Sequence, residues 1–164
     1  MTVNTGALLL AQHSLIRALG DKAIASDAML VIDGYENIRL LCKQFPWPIL
    51  TTGGEIEIPA PLGTVMYQPQ QIKIAQQGAI EFEETRNGAI QSLFESLIAT
   101  GGRFDAIVYE GTLEVHKRAL PIYSAFVEME VGTRDWENKS TPLNLGGTLF
   151  YHYYGENLGS NDNS

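Results

Sequence analysis

The chain has 164 residues, 45% of them hydrophobic and 18% charged, with a formal net charge of −8. That length supports one domain with a core of its own, and the excess of acid disfavours a nucleic-acid grip, which needs Lys and Arg to displace phosphate counterions. The single cysteine, Cys42, excludes an intrachain disulfide; it sits in the apolar run 38–42 and reads as a small buried hydrophobe.

A charge content below the usual quarter or so of residues suggests that part of the surface is hidden against partners. The start, Met1-Thr2-Val3-Asn4-Thr5, lacks a basic n-region, and the longest apolar run is too short to span a bilayer. The expectation is a protein made and folded in the cytoplasm, without membrane insertion.

From Thr5 to Gly20, residues Ala7, Leu8, Ala11, Leu15, Ile16 and Leu19 approximate a helical stripe that Gly20 can close, although Leu8-Leu9-Leu10 also suits a buried strand. Residues 28–33 (AMLVID) read as a buried strand. Asp33-Gly34 then predicts a type I′ hairpin turn, with Tyr35 to Phe45 as the returning strand. Pro46-Trp47-Pro48 ends it, because proline cannot donate to a ladder.

Thr52-Gly53-Gly54 marks another turn, and Glu55-Ile56-Glu57-Ile58 alternates strictly. Pro59 to Gly63 interrupts this strand, and 64–67 resume it. Residues 71–84 form the longest strand candidate, with Ile72, Ile74, Ile80 and Phe82 on one face and Lys73, Glu81 and Glu83 on the other; Gly78 in its middle predicts a bulge or a close backbone approach. Asn87 is placed to cap a helix whose Ile90, Leu93, Phe94, Leu97 and Ile98 fall on one apolar stripe, the expected helix-to-sheet core, and Gly101-Gly102 stops it.

Residues 104–110 and 119–131 are further strands, the second with Ala125, Val127, Met129 and Val131 on one face and Phe126, Glu128 and Glu130 opposite. The last strand, 145–154, carries Phe150, His152 and Tyr154 on one face and Tyr151 and Tyr153 on the other, a pattern expected of a strand covered twice. The sum is a mainly β, α+β fold: an antiparallel sandwich or partly closed barrel of seven or eight strands, with one flanking helix and a long protruding hairpin. One domain spans 1–164, with 1–27 an N-terminal segment and 155–164 a polar, flexible tail.

No catalytic constellation is present. His13, His116 and His152 have no second ligand type at metal spacing. The glycine pairs at 53–54, 101–102 and 146–147 are not followed by Lys-Ser/Thr, and no Gly-x-Ser-x-Gly elbow occurs. The acidic pairs Glu55/Glu57, Glu81/Glu83 and Glu128/Glu130 suit a shared acidic surface better than a hydrolytic site, because alternation alone places such pairs on solvated strand faces. The expectation is no enzyme, no metal and no cofactor.

The order of elements resembles a known family. A long interrupted hairpin (TTGGEIEIPAPLGTVMYQPQQIKIAQQGAIEFEET) precedes an amphipathic helix (IQSLFESLIATGG), two strands (FDAIVYEG, AFVEMEVGTRDWENKS) and a closing strand (LGGTLFYHYYG). From about 28 to 155 this is similar to the tail tube proteins of contractile-tailed bacteriophages, the superfamily that also holds type VI secretion tubes.

The resemblance implies hexameric rings stacked into a tube inside a contractile sheath. The partners would be the sheath, the baseplate and a tail terminator, with DNA passing through unbound and the protein residing in the virion tail. It also implies an inter-ring hairpin, best matched by Ile56, Ile58, Leu62, Val65, Met66 and Tyr67, and a channel lining for which Glu81, Glu83, Glu128 and Glu130 are the candidates. Other ring-forming tail, baseplate or secretion-tube subunits, or a small-ligand-binding β-barrel, are the alternatives.

Overall fold

The computed structural model describes residues 5–161. The chain runs through α1 (Gly6–Ala18), β1 (Met29–Ile32), β2 (Cys42–Gln44), β3 (Glu55–Pro59), β4 (Val65–Pro69), β5 (Ala75–Glu83), α2 (Ala89–Ala99), β6 (Phe104–Gly111), β7 (His116–Met129) and β8 (Asn144–His152). Six strands form one antiparallel sheet in the order β1-β6-β7-β8-β5-β2, and β3-β4 form a separate two-stranded hairpin. The sheet curls until its edge strands β1 and β2 are bridged by a short 3-10 helix, Glu36–Leu40, which makes a nearly closed barrel.

The expected hairpin after β1 does not form. Asp33-Gly34 does turn the chain, the Tyr35 N–H donating to the Ile32 carbonyl at 3.0 Å. Only Gly34 has positive φ (+83°), however, whereas a type I′ turn needs it at both central residues. The chain therefore leaves the strand and coils. Tyr35, Ile38 and Leu41 all pack against the core, and a spacing of three is the period of a 3-10 helix, whose side chains eclipse every third residue. β2 then joins the far end of the sheet, pairing with β5. Within it, burial pushes the Cys42 thiol up to about 12, so that it stays neutral at neutral pH.

Helix α2 plugs the concave side of the sheet. Ile90, Leu93, Phe94 and Leu97 are buried, and Phe94 meets Phe82 of β5 edge to face at 5.4 Å. Ile98, expected in the same stripe, is 74% exposed: it lies roughly 80° around the helix from Ile90, at the rim of the apolar arc. Asn87 is not the cap either. Gly88 occupies that position with φ 73°, and the Glu84 carboxylate takes the N–H groups of Thr85, Ile90 and Gln91 at 2.8, 3.0 and 3.1 Å. A carboxylate over a helix N-terminus meets both the orphan donors and the dipole. At the other end, Gly102 N–H reaches the Leu97 carbonyl at 2.6 Å and Gly101 N–H that of Ile98 at 3.2 Å, the pairing of a Schellman stop.

Two further details set the sheet. Gly78 is a close approach and not a bulge: β5 and β8 stay in register from Ala75↔His152 to Glu83↔Asn144, and the Pro46 ring occupies the space a Cβ on Gly78 would need. In β7 the register shifts between Tyr123 and Phe126, where Ser124 has φ 49° and donates its N–H to Asp105 Oδ1 at 3.0 Å. This bulge resets the alternation, so that Ile122 and Ala125 are both buried. Ile72 and Ile74 were expected on the face of Ile80 and Phe82. They precede β5 and are 58% and 37% exposed.

Helix α1 forms as expected, with the Thr5 hydroxyl accepting from Leu8 N–H at 3.3 Å, but no residue of it is buried. Its stripe stays exposed among the described residues. The C-terminal segment, as far as Asn161, lies along β7, with Leu158 N–H on the Ala119 carbonyl at 2.9 Å and Asn161 N–H on that of His116 at 3.2 Å. The remaining tail positions, 162–164, and residues 1–4 lie outside the described residues.

Candidate assembly surfaces

The β3-β4 hairpin pairs Glu55↔Pro69, Ile56↔Gln68, Glu57↔Tyr67, Ile58↔Met66 and Pro59↔Val65. Its base is tightened by the Thr52↔Ile72 bridge and by Lys73 N–H on the Thr51 carbonyl at 2.8 Å. Every residue of both strands is exposed.

Residues directly opposite share a face. Ile56, Ile58 and Met66 therefore line one side, and Val65 and Tyr67 line the other with Glu55 and Glu57. At the tip Leu62 takes a left-handed conformation (φ 61°) and is fully exposed. A positive φ is unfavourable for a side chain with a Cβ, so the tip holds an apolar side chain out to solvent in a constrained turn. The six hairpin residues singled out in the sequence thus occupy one projecting element, on both of its faces.

The sheet brings the four glutamates together. Ile80 and Phe82 of β5 point into the core, which turns Glu81 and Glu83 to the outer face; Ala125, Val127 and Met129 of β7 face inward, which turns Glu128 and then Glu130 outward. β8 lies between them. Gly146 is opposite Glu81 and accepts from Glu130 N–H at 2.9 Å, and Thr148 is opposite Glu128.

The result is an acidic outer face built on β7-β8-β5 with small residues along its midline. Glu81 and Glu83 are half-buried and Glu128 and Glu130 exposed, and none of them is in an ion pair among the described residues. The same face carries the Phe126–Phe150 stack, with centroids 5.0 Å apart. Gly147 is required here: a Cβ would overlap the Glu128 carbonyl of the neighbouring strand.

β8 ends at His152, two residues short of the expected 154, but the aromatics of its end and of the two residues after it still divide by alternation. Tyr151 and Tyr153 are buried, whereas Tyr154 is 59% exposed. The interior of the curled sheet is filled by Phe82, Phe94, Leu149 and Tyr151. Two depressions lie on the surface, one of about 660 Å³ between Asp21–Asp27 and the β6-β7 turn, the other of about 350 Å³ at the start of α2, and both have mixed polar and apolar linings. No group of three metal-ligating side chains occurs among the described residues, and no helix there is long and apolar enough to cross a membrane.

Sequence reasoning missed one feature of the surface: the edge of β7 beside Lys117-Arg118, which the C-terminal segment covers and no strand of the sheet does among the described residues. That dipeptide is the one place where two Lys or Arg residues adjoin, and this was the available signal.

These elements define a class of protein: an antiparallel, nearly closed β fold plugged by one helix, with a projecting hairpin and an acidic outer face. No family model matches the sequence, and no curated protein matches it. Solved structures share the fold. The tube-terminating cap of the anti-feeding prophage matches at TM-score 0.55 and 12% identity, over 81% of this chain and 89% of that one. A chain of the sheath–tube complex of the extracellular contractile injection system PVC matches at TM-score 0.55 and 13% identity, over 84% and 92%. One from the PVC sheath/tube terminator matches at 0.54 and 10%, over 81% and 94%. At these identities the likeness is one of fold.

Proposed function

We propose that this chain is a structural subunit of a contractile tail tube, forming hexameric rings that stack around a DNA-conducting channel inside a sheath. The observation that carries the reading is the shared fold, which extends over at least 81% of this chain and 89% of chains from a tube-terminating cap, a sheath–tube complex and a terminator. The projecting hairpin and the unpartnered α1 support it, because both expose apolar surface that a lone subunit leaves wet. The role is mechanical and not enzymatic. Sheath, baseplate and terminator are the partners, and the virion tail is the location.

Electron microscopy of the purified protein tests this. Tubes of stacked rings are the expected result. Single rings that never stack would favour a terminator or cap, the second reading, which the fold of the cap and terminator chains also supports. A dispersed monomer at all concentrations would sink both.

In the assembled tube the β7-β8-β5 face lines the channel, with Glu81, Glu83, Glu128 and Glu130 turned to the lumen. Carboxylates repel phosphates over about 8 Å at physiological ionic strength, which keeps DNA moving. Tubes with all four glutamates replaced by lysine are expected to retain short DNA in a salt-sensitive manner, while wild-type and glutamine tubes release it. Lysine tubes that exclude DNA as well as wild type does would place this face elsewhere.

A further inference from the structure

β7 is 14 residues long, but β8 covers only its second half, from Tyr123 to Met129. On the side away from β6, residues 116–121 have no strand beside them among the described residues. The C-terminal segment lies there instead. It is held by the two backbone hydrogen bonds described above, by His116 N–H on Asn161 Oδ1 at 2.8 Å and Ala119 N–H on Asn157 Oδ1 at 3.4 Å, and by Ser160 Oγ on the His116 carbonyl, Asn161 Nδ2 on the Glu114 carbonyl and Tyr123 OH on the Glu156 carboxylate at 3.1, 2.8 and 2.7 Å. Leu158, its one large apolar side chain, is 58% exposed. The segment therefore satisfies the edge mainly by hydrogen bonds and adds no side chain to the core clusters, and an edge so covered is a pairing template once the cover leaves.

We infer that this edge of β7 is the seat of the β3-β4 hairpin from a copy in the next ring, and that the hairpin displaces the C-terminal segment when it docks. The inference rests on the tube reading and names the contact that the hairpin makes.

Length selects the partner. β1 and β2 are four and three residues long, whereas the hairpin strands have five each and are exposed throughout. Charge selects β3 over β4. Lys117 and Arg118 are exposed on the β7 edge, and Arg118 leans on Glu110 at 3.2 Å while Lys117 pairs with nothing among the described residues. β3 carries Glu55 and Glu57, exposed and likewise without an ion pair among the described residues; β4 carries no charge. Opposite charges facing across strands favour pairing and like charges oppose it.

The backbone agrees. Gly54 and Ala60 make the hydrogen bonds to the β4 side, so by alternation Glu55 and Glu57 turn their backbone groups to the outer edge. Pro59 and Pro121, which have no N–H, fall at the ends of the two segments, where a ladder can stop.

The test uses the full chain and measures the concentration at which tubes form, by sedimentation and electron microscopy. Lys117→Glu and Glu57→Lys are each expected to raise it about tenfold through like-charge pairing, and the two together to restore it. Cysteines at 57 and 117, with Cys42→Ser, should form an intermolecular disulfide in tubes, and truncation after Gly155 should lower the concentration by removing the competitor. Tubes in wild type with no rescue by the charge swap and no disulfide overturn the seat and leave the tube reading standing. Truncation that raises the concentration overturns the displacement. A wild type that forms neither rings nor tubes removes the tube reading and the seat together.

Discussion

Leu93→Asp or Leu97→Asp in α2 will leave no cooperatively folded protein. The two leucines are 4% and 5% exposed and belong to the cluster that joins α2 to the sheet. Truncating a buried leucine to alanine already costs about 2–5 kcal/mol. A carboxylate in the same place adds a desolvation cost of several kcal/mol, or stays neutral only by a large rise in its pKa. Together these approach or exceed the roughly 5–15 kcal/mol that stabilises a typical domain. The same substitution one position on, at Ile98, should shift stability by only about 0.5 kcal/mol, since that side chain is 74% exposed. Thermal melts followed by circular dichroism decide it. A sharp transition for Leu97→Asp within a few degrees of wild type would mean that α2 is not the plug of this core.

The contrast between Leu97 and Ile98 also marks how far the sequence could be read. Helix α2 was legible because its stripe and its Gly101-Gly102 stop are local features. The capping carboxylate was not: Glu84 reaches Ile90 and Gln91 across a loop whose path no periodicity encodes. The segment 35–45 was misread because Asp33-Gly34 suggests a period of two beyond it, while Tyr35, Ile38 and Leu41 keep a period of three. Tertiary packing won there, since Tyr35, Ile38 and Leu41 are drawn onto the core as the chain crosses to β2. Gly78 was flagged correctly as special, but which of its two explanations held depended on Pro46, a residue 32 positions away.

The candidate surfaces follow the same division. Each acidic pair is visible as i, i+2 alternation within its own strand. That Glu81, Glu83, Glu128 and Glu130 share one face depends on β8 lying between β5 and β7, a pairing set by contacts remote in sequence. The apolar stripe of α1 was legible as a stripe, yet a stripe ordinarily announces burial, and here none of the described residues buries it. The exposed helix and the exposed hairpin both present apolar side chains to solvent, in keeping with the low overall charge.

The hairpin offers the sharpest separation of folding from assembly. Ile58 and Leu62 are 40% and 101% exposed and outside the core cluster, so Ile58→Asp with Leu62→Asp should change monomer stability by about 1 kcal/mol or less. Between rings the balance differs. Each side chain contributes roughly 1.5–3 kcal/mol when fully buried, and a carboxylate forced into the same contact adds its own desolvation cost. The double variant therefore loses at least about 3 kcal/mol per subunit of stacking free energy, more than a hundredfold in the contact's equilibrium constant. A ring makes that contact once for every subunit, so the loss multiplies around the ring. If the chain builds the proposed tube, rings should still close, because the hairpin projects away from the six-stranded sheet, and elongation should stop. Electron microscopy and sedimentation read both results at once: rings without tubes is the expected picture, and long tubes from the double variant would end the inter-ring role of the hairpin.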